Sequence, residues 1–363
     1  MSDTPSERLG VFAVAHESEA PPTDDYLTLV MVHGYAWHAG IFKRLLPFAS
    51  KHNTRIVLIN RRDYPGSEPF TTDDLAKLNL VEGLREFMKD RAKEVYVLLM
   101  ESIKTGRVSP KGGIVLGAWS WGTQFTTALL AHAASLPAEN GIDVVSNIRF
   151  VVHLGALHTS KKLLSSTDST LSDMPSHFMG YPPKKEFWMP LFDMSLDPNE
   201  RVRLFARWVT GHFMHGETAD EIVPSDYSAD IPPTLDTMTP EDLESTLCIA
   251  PGAPGASDDV LVRVIMQTGV CVDLKRAAFF DIDPSSDWAK VKLRMIFADR
   301  STWAEFWAAE GMRLEIEKAE KEGKPHRDIE IVRFRNVNHY ACWDHPERTL
   351  VMLLGKGSSD NYV

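Results

Sequence analysis

Short apolar runs rich in β-branched residues recur through the first 155 residues of this 363-residue chain: Leu27 to Val32, Arg55 to Ile59, Gly113 to Leu116 and Ile148 to Leu154. Their hydrophobicity is too continuous for strands with one wet face, so each predicts a strand buried on both sides. Helix-like stretches separate them. Ile41 to Lys51 places Phe42, Leu45, Leu46 and Phe48 on one side. A longer stretch, Thr71 to Thr105, opens on Thr71-Thr72-Asp73-Asp74, whose side-chain oxygens suit the orphan N–H groups of a first helical turn. Buried strands alternating with helices predict a mostly parallel sheet flanked by helices on both faces.

The alternation stops after Leu154. From 159 to 288 the chain carries helical patches (Glu186 to Phe192, Glu200 to Phe213, Pro240 to Cys248, Asp258 to Phe280) separated by loops such as Ile231-Pro-Pro and Pro251-Gly-Ala-Pro-Gly. An insertion of about 130 residues is far longer than an ordinary connection. The pattern then resumes with strands at Leu293 to Phe297 and Ile329 to Phe334 and helices at Thr302 to Lys321 and Pro346 to Leu354. The expected organisation is an interrupted core, 1–158 and 289–363, around an inserted helical lid at 159–288.

Composition narrows the partners. Lys plus Arg is 39 and Asp plus Glu is 50, a net charge of −11, the wrong sign for gathering nucleic acid or anionic lipid. Cys248, Cys271 and Cys342 form no C-x-x-C pair, so neither a disulfide framework nor a cysteine zinc site is expected, and a reducing compartment suits them. The start, Met-Ser-Asp-Thr-Pro-Ser-Glu-Arg, has no signal-peptide pattern, and Val95 to Met100 and Leu350 to Leu354 are far shorter than the roughly 20 residues of a membrane span. A cytoplasmic protein without a membrane span is the expectation.

Three places carry chemistry. In Val115-Leu116-Gly117-Ala118-Trp119-Ser120-Trp121-Gly122-Thr123 a buried strand runs through a small-x-Ser-x-Gly turn into a helix. Such an elbow exposes the Ser120 hydroxyl at the sheet edge and leaves the Trp121 N–H at a helix N-terminus, where negative charge is favoured. A serine that merely caps a helix is the alternative, and strand before and helix after favour the elbow over it. Val32-His33-Gly34-Tyr35 ends an earlier strand in a turn whose N–H groups, that of Tyr35 above all, can face the same space; with Trp121 they would form an oxyanion hole. His339 follows the last strand, where open α/β sheets place their ligands, and suits the role of proton shuttle better than His345 at the next helix start.

These features, with Arg62-Asp63-Tyr64-Pro65-Gly66-Ser67 between them and Asp344-His345-Pro346-Glu347 after them, resemble an α/β-hydrolase-fold protein over residues 8–158 and 289–355. The resemblance implies an eight-stranded sheet with the lid inserted after strand six. It also implies Ser120 as nucleophile, His339 as base, and Tyr35 and Trp121 as oxyanion donors. The order serine, acid, histidine places the acid after the seventh strand. With Ala298 at the usual glycine, the standard position falls on Ser301. Asp299, the nearest carboxylate, is therefore the expected acid, Glu305 the second choice, and Asp281 and Asp283 remote ones.

The insertion is rich in aromatic and methionine side chains, and Trp37, Trp119 and Trp188 are expected to line an apolar pocket. The reading is a serine hydrolase acting on an ester, thioester or lactone of a bulky hydrophobic or aromatic small molecule through an acyl-enzyme on Ser120, with no metal or organic cofactor. A C–C bond hydrolase, lyase or cyclase of a natural-product pathway, and a non-catalytic ligand-binding relative, are the alternatives. Epoxide hydrolysis and dehalogenation fit less well, because those relatives place Asp at the elbow.

Overall fold

A computed structural model describes residues 7–137, 141–155 and 186–357. Of the aromatic and methionine side chains in which the insertion is rich, Met174, Phe178, Met179 and Tyr181 lie outside the described residues. The fold is one eight-stranded sheet: β1 (Arg8–Leu9), β2 (Phe12–Glu17), β3 (Leu27–Val32), β4 (Thr54–Asn60), β5 (Ile114–Trp119), β6 (Ile148–Leu154), β7 (Lys292–Ala298) and β8 (Ile329–Phe334). Its order is β1-β2-β4-β3-β5-β6-β7-β8. The first two pairings are antiparallel and the rest parallel.

The six apolar runs become β3 to β8, and Leu29 to Val32, Ile56 to Ile59 and Ile114 to Leu116 are all buried. The β1–β2 pair leaves no such run because β1 has only two residues and β2 turns from buried to exposed along its length. Helices 81–104, 123–132 and 270–279 pack together in one layer, and the 39–48 helix packs with 346–353. The helix 270–279, expected in the insertion, thus sits with the helices of the core.

Helix boundaries differ from expectation for local reasons. Thr71 caps the helix start as expected, in a capping box with Asp74, but extended Leu80 divides the stretch into Thr72–Ala76, a tight turn and Val81–Lys104. The expected helix from Asp258 to Phe280 is two, Ser257–Thr268 and Val270–Phe279, because Gly269 at φ +73° ends the first in the left-handed conformation. The chain leaves β3 to one side to form β4 and returns on the other to form β5. The crevice at the carboxyl ends of β3 and β5 is therefore the switch point where ligands bind in such sheets.

Two core histidines are held neutral. Burial pushes His153 down to about 3, with Arg327 adding to the shift, while its ring shares a 2.9 Å hydrogen bond with Thr126 Oγ1. Burial and Arg61 likewise hold His33 well below the usual histidine range. The unfolded chain takes up these protons near pH 6.5 and the folded chain does not, so stability present above that pH is lost as pH falls below it. Each fully titrating site contributes a slope of up to about 1.4 kcal/mol per pH unit. Urea unfolding between pH 7.5 and 5 is expected to show this decline, and His153→Gln to flatten it; identical slopes in both proteins would contradict the assignment.

Candidate active site

β5 delivers Ser120 to the crevice. Trp119 is still extended, Ser120 turns to φ +54°, and a tight turn over Ser120–Gly122 leads into the helix Thr123–His132. A left-handed serine is strained and persists only where its surroundings fix it. Here Thr123 Oγ1 donates to the Ser120 carbonyl at 2.7 Å. A Cβ on Gly122 would lie 2.5 Å from the His33 carbonyl oxygen and 2.7 Å from that of Val32, so only glycine lets the turn settle on the end of β3. Trp121 holds the second position of the turn, where an N–H has no intrahelical acceptor.

β3 delivers the opposing turn. A Cβ on Gly34 would stand 3.0 Å from Ser120 Cβ, so the His33-Gly34 backbone passes directly against the serine, with Tyr35 next in the chain. His33 Nε2 accepts the Arg61 N–H at 2.9 Å, which places the proton on Nδ1, and Nδ1 donates to the Gly34 carbonyl at 3.0 Å.

β8 delivers His339. The Asn338 amide donates to the Thr210 carbonyl and to Thr234 Oγ1, both at 2.8 Å, and its oxygen accepts the Tyr340 N–H at 2.9 Å. These bonds tie the histidine loop to the inserted segment. Trp119, one residue before the serine, donates through Nε1 to the His339 carbonyl at 3.0 Å, and its ring packs against the imidazole at 5.0 Å between centroids, tilted by 32°.

At the acid the structure departs from the expectation. His339 Nδ1 lies 2.5 Å from Glu305 Oε1, and Glu305 is completely buried. Its Oε2 accepts the Ala298 N–H at 2.8 Å, and Ser301 Oγ donates to Oε1. Asp299 faces elsewhere: its carboxylate accepts the Asn336 N–H at 2.7 Å and Arg333 Nε at 3.1 Å, closing the turn after β8. Arg333 in turn binds Glu217 of the inserted segment. Asp281 pairs with Arg276 and Asp283 binds Ser285, so neither enters the cluster. The helix Trp303–Lys321 begins so soon after β7 that a glutamate one turn inside reaches back past the serine at the usual acid position. The spacing of Ser301 and Glu305, four apart on a helix start, was the available signal.

The expected pocket indoles are partly reassigned. Trp119 is 1% exposed and packs on Phe42, His339 and Tyr340, so it supports the histidine rather than lining a pocket. Trp37 is buried edge-on against Tyr340. Trp188 meets Trp208 and donates through Nε1 to Asp193. At the turn after β3, Phe205 from the helix Pro198–Val209 meets the Tyr35 ring. The Trp121 Nε1 donor is buried without a partner among the described residues. Also among the described residues, no group of three or more His, Cys, Asp or Glu is placed to hold a metal ion, and no helix is long and apolar enough to cross a membrane.

Comparison with known proteins bears on this geometry. The family model for the alpha/beta hydrolase family matches residues 29–351. No curated protein matches the sequence. Among solved structures, an esterase from Exiguobacterium antarcticum is similar at 14% identity, covering 95% of this chain and 94% of that one with a TM-score of 0.50. Epoxide hydrolase I of potato (Solanum tuberosum) is similar at 12% identity, covering 97% and 98% with a TM-score of 0.48. A bromoperoxidase from Bacillus anthracis is similar at 14% identity, covering 94% of both with a TM-score of 0.44.

Proposed function

This chain belongs to the alpha/beta hydrolase family, and we propose that it is a serine hydrolase cleaving an ester, thioester or lactone of a bulky, largely apolar small molecule. The observation that carries the proposal is the buried pair of His339 and Glu305, its imidazole packed against Trp119, the residue before a left-handed Ser120. With Nδ1 engaged by Glu305, the histidine presents Nε2 as a base. Ser120 Oγ attacks the carbonyl as that nitrogen takes its proton, Glu305 stabilises the imidazolium, and the N–H groups of Tyr35 and Trp121 hold the oxyanion. His339 then protonates the leaving group, and water releases the acyl group by the reverse sequence.

A buried carboxylate on the base favours this reading over a ligand-binding relative, which needs no such pair. The aromatic cover supports an apolar substrate: Phe205 meets Tyr35 and packs on Trp208, which meets Trp188. The unpaired Trp121 indole N–H would serve an acceptor on the substrate.

A fluorophosphonate probe tests the reaction class. The expected result is one covalent adduct on the peptide carrying Ser120, lost in His339→Ala. A folded protein that stays unlabelled overturns the proposal. Aryl and branched-chain p-nitrophenyl esters are expected to exceed the acetate in kcat/KM; equal values would remove the insertion as specificity element.

A further inference from the structure

Tyr35, the proposed oxyanion donor, sits in a strained turn. Trp37 N–H donates to the Tyr35 carbonyl at 2.8 Å across Ala36, which has φ +62°. That is the classic γ-turn, the rarer and less favourable hand, and alanine there lacks glycine's tolerance for it. Such a turn needs restraint from outside, and its partners come mostly from the inserted segment. The Cys248 N–H donates to the Ala36 carbonyl at 2.7 Å, the His38 N–H donates to the Thr246 carbonyl at 2.9 Å, and Tyr35 Oη donates to the Gly252 carbonyl at 2.6 Å.

A buried charged cluster completes the restraint. Arg61 and Asp258, each 1% exposed, form a two-pronged ion pair at 3.0 and 2.5 Å, although 197 residues separate them. Asp258 begins the inserted helix Ser257–Thr268. Tyr64, 2% exposed, donates from Oη to Asp258 at 2.7 Å and accepts the Ala36 N–H at 2.9 Å. Arg61 also donates to the carbonyls of His33 at 3.2 Å and Gly34 at 2.8 Å.

The Gly34 bond has a directional consequence. In a trans peptide the C=O and the following N–H point in opposite directions. With the Gly34 carbonyl turned to Arg61 and to His33 Nδ1, the Tyr35 N–H is directed away from that cluster. On the hydrolase reading above, we propose that Asp258, acting through Arg61 and Tyr64, is a positioning residue that aims the Tyr35 N–H at the oxyanion. The insertion then supplies part of the catalytic geometry as well as a cover. An ion pair this deeply buried contributes little net stability over an apolar replacement, so a role in orientation accounts for its presence better than stability does.

The test uses the full chain, an ester substrate and the fluorophosphonate probe. Tyr64→Phe removes one hydroxyl and leaves the Arg61–Asp258 charges paired. Its expected effect is a kcat loss of roughly 10- to 100-fold with KM little changed, and a parallel fall in the phosphonylation rate. The pH profile stays unaltered, because His339 and Glu305 are untouched. Asp258→Asn is expected to lose at least as much. Should that variant fail to fold for want of a countercharge, Tyr64→Phe decides alone. Folded Tyr64→Phe with wild-type kcat and labelling rate overturns the positioning role while leaving the hydrolase reading intact. A wild-type protein that takes no label at Ser120 overturns that reading and this inference with it.

Discussion

Ser120→Ala is expected to lower kcat on any ester this protein turns over by about 10⁶-fold, since loss of a serine nucleophile removes the covalent route altogether. What remains is the modest acceleration from binding and the oxyanion donors. The substitution also carries a stability signature. Position 120 has φ +54°, a conformation that costs a residue with a Cβ roughly 1–2 kcal/mol and costs glycine almost nothing. Ser120→Gly is therefore expected to unfold at higher temperature than Ser120→Ala, although both are inactive. Measuring kcat by stopped or continuous assay and the two melting temperatures by calorimetry checks both parts. A Ser120→Ala protein within tenfold of wild type would sink the nucleophile assignment. Equal melting temperatures would sink the argument that the elbow stores strain.

Glu305→Gln is expected to reduce kcat by about 10⁴-fold, the loss seen when a triad carboxylate becomes an amide. The local hydrogen bonds explain why an isosteric change does so much. The Ala298 N–H is buried and must have an acceptor, so it takes the new amide oxygen. The NH₂ group then faces His339 Nδ1, with Ser301 Oγ free to accept its second proton. That arrangement deprotonates Nδ1 and moves the imidazole proton to Nε2, the nitrogen that must receive the serine proton. Asp299 stands only six residues before Glu305 but outside this relay. Asp299→Asn weakens a mostly buried contact to Arg333 and the turn at Asn336, costing about 1–3 kcal/mol of stability, with kcat within a few-fold of wild type. The contrast between the two variants assigns the acid. A 10⁴-fold loss in Asp299→Asn with Glu305→Gln active would reverse it.

Much of the frame was legible without coordinates. The runs that became β3 to β7 could be read because strands buried on both faces have little room for polar residues, and β8, at the sheet edge, because its apolar residues alternate with Glu330 and Arg333. The elbow at Ser120 could be read because its turn demands small residues at fixed offsets, and Gly122 against the His33 and Val32 carbonyls shows the demand at work. The β1–β2 pair was not legible, since a two-residue strand carries no pattern. Trp119 was misplaced for a different reason. Alternation along β5 says which side of the sheet a residue takes, but not whether a histidine loop lies on that side.

The sequence by itself determined where β3 to β8 fall along the chain, the elbow serine, the histidine loop and the glycine turn, because each rests on contacts within a few residues or on the apolar pattern of a whole run. Only the tertiary structure decided which carboxylate meets His339. That choice turns on how soon a helix starts after β7 and how far one more methylene reaches. It also decided what restrains the strained turn at Ala36: Asp258 reaches Arg61 from the far side of an insertion, and no local rule of sequence connects residues so far apart.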